Sequence, residues 1–129
     1  MTDPARRERG KELMRDVYGW DFEPTKAFER QTVDHLFGEI WDQGKLSVRD
    51  RRLVLIGLAA GSGLEDVAAL QLDAAVEQGE LDADDLRYLV VFLAHYAGWP
   101  RAAKLNSEVE ALLARREKAA AAAAAAEQP

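Results

Sequence analysis

Cysteine is absent from the 129 residues. That single absence removes disulfides, thiolate metal sites, thiol nucleophiles and CxxC redox chemistry together. Histidine is scarce, limited to His35 and His95. A full metal ligand set would need several carboxylates, and no Glu-x-x-His motif of the di-iron type occurs, so no metal is expected. No basic stripe is present either. The formal charge is −6, with acids and bases mixed along the chain, which argues against nucleic acid as a partner.

Long apolar runs are also missing. The most apolar stretch, Leu86 to Trp99, contains Arg87 and falls short of the roughly 20 residues that span a bilayer. The first residues, "MTDPARRERGKELMRDVYG", hold no apolar signal core. The expectation is therefore a cytoplasmic protein with no membrane association. No Gly-rich phosphate loop, nucleophile elbow or Ser/His/Asp arrangement is visible. "AAGSG" has no strand before it and no Lys after it, and reads as a turn.

What is present is ordinary globular composition, 48% apolar and 31% charged, in a length suited to one domain. Its punctuation is helical throughout. A first helix is expected from Pro4 to Tyr18, closed by Gly19. A second runs from about Thr25 to Asp42, with Phe28, Val33, Leu36, Phe37 and Ile40 on one face. Ser47 caps a third, which is apolar nearly all round and so expected to be central and buried. Ser62 and Glu65 read as a capping box for a fourth that ends at Gly79. Asp82 caps a fifth, with Leu81 and Leu86 as a hydrophobic staple, and Gly98 ends it. Pro100 opens a sixth that continues into polyalanine. The fold class is all-α, a helical domain over residues 4–118 followed by an exposed, frayed Ala-rich tail over 119–129.

Three places carry candidate chemistry. In "FLAHYAGWP", His95 shares a stripe with Tyr88, Phe92 and Trp99, which suits either a pocket wall or a subunit contact. A buried, neutral imidazole bonded to a backbone carbonyl is the plainer alternative. In "DHLFGEIW", His35 and Glu39 stand four apart on one helix face. A Glu beside an aromatic-walled cavity would be poorly solvated and suited to proton transfer; an exposed His/Glu pair is the plainer alternative. In "SVRDRR", one of Arg49, Arg51 and Arg52 is expected to turn inward as a carboxylate clamp.

These landmarks in this order resemble the carboxymuconolactone decarboxylase family of the alkylhydroperoxidase-D-like superfamily. The matching pieces are "RERGKELMRDVYG", "FGEIW", "LSVRDRRLVLIGLAA" and "GLEDVAALQLDAAVEQGELDADDLRYLVVFLAHYAGWPRAA", together covering roughly residues 6 to 115. The resemblance implies an antiparallel bundle of about six helices that assembles into a ring-shaped homo-oligomer, a hexamer or trimer. It implies a cofactor-free decarboxylase of aromatic catabolism acting on a small lactone or keto carboxylic acid. The thiol peroxidase branch is excluded because its CxxC relay is missing. Carried over by position, Glu39 and Trp41 fall on the family's "GEVW"-like sites and Arg51 on its helix-start Arg.

Two departures stand out. Gln71 and Phe92 occupy positions where the family usually has His, and Gln cannot exchange a proton near neutral pH. Glu39 and His95 are thus the expected catalytic residues. Arg51, Gln71, Trp41, Phe37, Phe92 and Trp99 are the expected substrate-binding residues, with Arg51 holding an anionic group. The competing expectation is a non-catalytic member that keeps the oligomeric scaffold and binds a small ligand.

Overall fold

A computed structural model describes residues 3–128. Six α-helices appear, α1 (Pro4–Tyr18), α2 (Ala27–Gln31), α3 (Val48–Gly61), α4 (Glu65–Glu77), α5 (Ala83–Ala97) and α6 (Trp99–Ala126). Between α2 and α3 lie a π-helix, Thr32–Ile40, and a 3-10 turn, Trp41–Gln43. No strand occurs among the described residues. Contacts fall into two compact units, residues 1–51 and 52–129, with the division inside α3.

The first unit is built by α1 lying against the π-helix. Asp3 caps α1 by accepting from the Ala5 N–H, and Gly19 closes it in the left-handed conformation. Its few apolar residues, Leu13, Met14 and Val17, are all buried. Two glycines let the backbones meet. A Cβ at Gly10 would lie 2.0 Å from the Val33 carbonyl oxygen, and one at Gly38 would lie 2.8 Å from that of Arg6. Neither position has room for a side chain.

The π-helix corrects the 3.6-residue face read from the sequence. Of the expected face, Val33 and Phe37 are buried, but Leu36 and Ile40 are exposed, as is Phe28 on α2, and Asp34 and Gly38 are buried in their stead. The physical reason is the hydrogen-bond register. With i→i+5 bonding, residues five apart stack on one face, whereas in an α-helix they diverge by about 140°. Val33 and Gly38 both touch α1, and Asp34 and Glu39 both pair with its arginines. An aromatic column completes this unit: Trp20 stacks on Tyr18, Tyr18 meets the edge of Phe37, and Phe37 stacks on Trp41 at 5.7 Å.

In the second unit α6 packs against both α4 and α5. Its core joins Ile56 and Ala60 of α3, Ala68 and Leu72 of α4, Leu86 and Val90 of α5, and Leu105, Val109 and Leu112 of α6. The α5–α6 hairpin is antiparallel, with Arg87 bonded to Glu110 at 2.9 Å and the turn made at Gly98. Asp82 and Asp85 cap α5 reciprocally, as their spacing predicts. Ser47 likewise caps α3 through the Asp50 N–H.

Ser62 does not cap α4. The Leu64 N–H reaches back to the Ala59 carbonyl and Gly63 adopts φ +74, so Ser62 belongs to a closing turn of α3 and α4 starts only after Leu64. Nor is α3 buried all round. Arg52, Ile56, Ala59 and Ala60 face inward, while Val54 and Leu58 are open at 63% and 64% exposure. The alanines beyond Lys118 continue α6 as regular helix to Ala126 and are exposed.

Candidate functional site

Glu39 lies on the π-helix at the rim of a cavity of about 350 Å³, lined by Arg6, Ala27, Arg30, Gln31, Asp34, His35 and Glu39. One carboxylate oxygen of Glu39 accepts from Arg6 at 2.5 Å and lies 3.6 Å from His35 Nδ1. The second distance is too long for a hydrogen bond. Asp34 is held bidentately by Arg7 at 3.0 and 2.9 Å. Arg30 reaches the Thr25 carbonyl. The wall is therefore polar and cationic, not aromatic. Phe37 and Trp41 are buried in the aromatic column and do not line this cavity.

Arg51, the expected anion clamp, is tied to backbone. Its guanidinium donates to the carbonyls of Trp41 (2.5 Å) and Leu46 (2.7 and 3.0 Å) and sits 4.9 Å above the Trp41 ring. It thereby holds the chain where the 3-10 turn gives way to α3. The arginine that does turn inward is Arg52, which is fully buried. It grips Glu80 with two bonds, 2.6 and 3.0 Å, and donates to the Gln71 amide oxygen at 3.0 Å. Gln71 is thus a buried hydrogen-bonding residue inside the second unit.

His95 is neither buried nor enclosed within its unit. Its Nδ1–H donates to the Val91 carbonyl at 2.8 Å, one turn back on α5, which leaves Nε2 as the nitrogen able to take or give a proton. Its ring lies edge-on to Trp99 at 6.0 Å. Around it Tyr88, Phe92 and Tyr96 form an exposed ladder with ring separations of 6.1 and 5.2 Å. Trp99, 66% exposed, borders an apolar groove of about 290 Å³ between α5 and α6, with Asn106 its one polar side chain.

The expected residues thus fall into two groups. Glu39, Phe37, Trp41 and Arg51 belong to the first unit, and His95, Gln71, Phe92 and Trp99 to the second. Sequence reasoning missed Arg6 as the partner of Glu39, because 33 residues separate them. The one available signal was Gly10 and Gly38, glycines inside helices that mark a close crossing. It also missed Arg30 as a wall residue.

Among the described residues no group of three or more His, Asp or Glu is placed to hold a metal ion. No helix among them is long and apolar enough to cross a membrane. The sequence profile of the Carboxymuconolactone decarboxylase family matches residues 26–111. No curated protein and no solved structure is significantly similar to the chain.

Proposed function

This chain belongs to the carboxymuconolactone decarboxylase family, and on that premise we propose that it is a cofactor-free decarboxylase of small lactone or keto carboxylic acids, serving aromatic catabolism in the cytoplasm. The observation that carries this reading is Glu39, a carboxyl on the wall of an open cavity, beside an imidazole and two guanidiniums. In the proposed reaction the bond to the leaving carboxylate breaks and CO₂ departs. The electron pair moves into the conjugated carbonyl of the substrate, and Glu39 as the acid form gives its proton to carbon. Well-placed proton transfer of this kind contributes on the order of 10²–10⁴-fold. His35, in contact with Glu39, is suited to return the proton from solvent.

The reading includes a homo-oligomer, a trimer or hexamer in ring form. Its support is the apolar surface left open on the second unit, Val54 and Leu58 of α3 and Tyr88, Phe92, Tyr96 and Trp99 around the end of α5. Patches of this kind mark contact sites. His95, Phe92 and Trp99 would meet substrate only where such a contact encloses them. Sedimentation of the purified chain should give a closed oligomer, and Phe92→Asp should dissociate it; a monomer at micromolar concentration rejects this part of the reading.

A second reading has one observation in its favour. Gln71, at a position where the family resemblance leads one to expect His, is buried and bonded to Arg52, which Glu80 holds in turn. A side chain so placed serves packing, which suits a member that binds a small ligand without turning it over. Purified protein mixed with a carboxymuconolactone distinguishes the two. CO₂ release supports the decarboxylase, whereas a raised melting temperature without CO₂ supports the binding scaffold.

A further inference from the structure

We propose that Arg6 anchors the carboxylate of a small organic acid in the cavity beside Glu39, and that the incoming anion takes Arg6 away from Glu39. The inference rests on the reading above for the part played by Glu39. Arg6 belongs to α1, which precedes the matched segment of residues 26–111.

The arginines of the first unit differ in how they are held. Arg7 is gripped bidentately by Asp34, and Arg9 is shared between Asp42 and Glu12. Arg51 is bonded to backbone carbonyls. Arg6 makes one hydrogen bond, through NH1 to Glu39, and its Nε is buried with no partner among the described residues. A buried N–H without an acceptor costs free energy. A guanidinium with a single monodentate partner has a planar edge left to offer a carboxylate.

Its stem is confined, while its guanidinium can change partner. A Cβ at Gly38 would come within 2.9 Å of Arg6 Cγ, so the stem of Arg6 lies flat against the glycine that precedes Glu39. The stem therefore cannot shift closer to the π-helix, and Arg6 is one of the residues that line the cavity.

Charge favours an anion. Arg7 neutralises Asp34, so the cavity wall sets two guanidiniums, Arg6 and Arg30, against the single carboxylate of Glu39. One positive charge is in excess before His35 is counted. The volume of about 350 Å³ suits a single-ring acid and is small for a nucleotide. Once the ligand carboxylate occupies Arg6, Glu39 loses its cation and gains a negative neighbour. Both changes favour the acid form of a carboxyl, the form that gives a proton to carbon. Binding and activation of the acid are thus one exchange of ion pairs.

The test is titration calorimetry with 5-oxotetrahydrofuran-2-carboxylate, a lactone acid without a conjugated leaving group, and with inorganic phosphate. Arg6→Gln should weaken binding of the lactone acid at least about tenfold, and Arg6→Lys should keep part of it. Glu39→Gln should tighten binding several-fold, because it removes the competitor for Arg6. Unchanged affinity in Arg6→Gln, or weaker binding in Glu39→Gln, overturns the proposal. Phosphate bound as tightly as the lactone acid, with the same dependence on Arg6, overturns the carboxylate assignment. The two proposals fail separately. The expected affinities without CO₂ release reject the decarboxylase and keep the anchor, while CO₂ release unaffected by Arg6→Gln keeps the decarboxylase and rejects the anchor.

Discussion

The Arg52 guanidinium donates to the Gln71 amide oxygen at 3.0 Å, with both side chains buried, while its other edge holds the Glu80 carboxylate. Removing Arg52 from such a cluster takes a charge-assisted hydrogen bond from each of the others in a poorly solvated place. Arg52→Met should destabilise the protein by about 3–5 kcal/mol. Chemical denaturation measures this directly, and a loss below about 1 kcal/mol would show that the cluster is not structural.

Gly10 and Gly57 make a matched pair of opposite sign. A Cβ at Gly10 would sit 2.0 Å from the Val33 carbonyl oxygen, so Gly10→Ala forces α1 off the π-helix. Overpacking of this kind costs about 1–3 kcal/mol or more, and should also separate Arg6 from Glu39. Gly57, inside α3, has nothing within 4 Å of its Cβ site. Gly57→Ala should raise stability by about 0.5–1 kcal/mol. Thermal melts of the two variants check both signs.

Arg51→Ala separates a backbone clamp from a substrate clamp. Its loss frees the carbonyls of Trp41 and Leu46 and strips the cation from the Trp41 face. Stability should fall by about 1–3 kcal/mol, while affinity for the lactone acid stays within about twofold. A tenfold loss of affinity with unchanged stability would restore Arg51 to the anion role that its position suggests.

Acid sensitivity should report on the start of α2. Glu29 accepts from the Lys26 N–H and from the N–H and hydroxyl of Thr25, which holds its carboxyl below the usual Glu range. A folded value below the unfolded one stabilises the fold above the ordinary Glu range. That contribution is lost as pH falls through the lowered value. Glu110, held low by Arg87, acts in the same direction. Glu29→Gln should flatten the acid limb of the stability–pH curve, and a carboxyl-carbon NMR titration should find Glu29 below a model peptide; a titration at or above it contradicts the assignment.

Helix starts and stops were legible wherever one residue decides them. Asp82 with Asp85, Ser47, Gly19 and Gly98 all mark the ends the structure has. Two failures share a cause. Of the stripe Phe28, Val33, Leu36, Phe37 and Ile40, Val33 and Phe37 are buried as the spacing predicts, but the π register that accompanies the close crossing at Gly10 and Gly38 leaves Leu36 and Ile40 outside and brings in Asp34 and Gly38. Ser62 with Glu65 has the spacing of a capping box, yet Gly63 turns the chain first and takes Ser62 into the end of α3. Both contests are settled by backbone geometry that a linear pattern does not encode.

The candidate site was legible in half. Glu39 stood out because a local motif, "FGEIW", surrounds it. Its partner Arg6 did not, since their contact depends on the docking of α1. The inward arginine is Arg52, one of the three that "SVRDRR" offers, while Arg51, the residue the family resemblance marks for an anion, lies over the Trp41 ring and bonds backbone carbonyls.

The measurement that tests the account most directly is CO₂ release from a carboxymuconolactone by the wild type and by Glu39→Gln, with folding of both verified. The account predicts turnover by the wild type and a loss of at least about 10²-fold in Glu39→Gln, which can bind the acid but has no proton to give. Turnover that survives Glu39→Gln would contradict it.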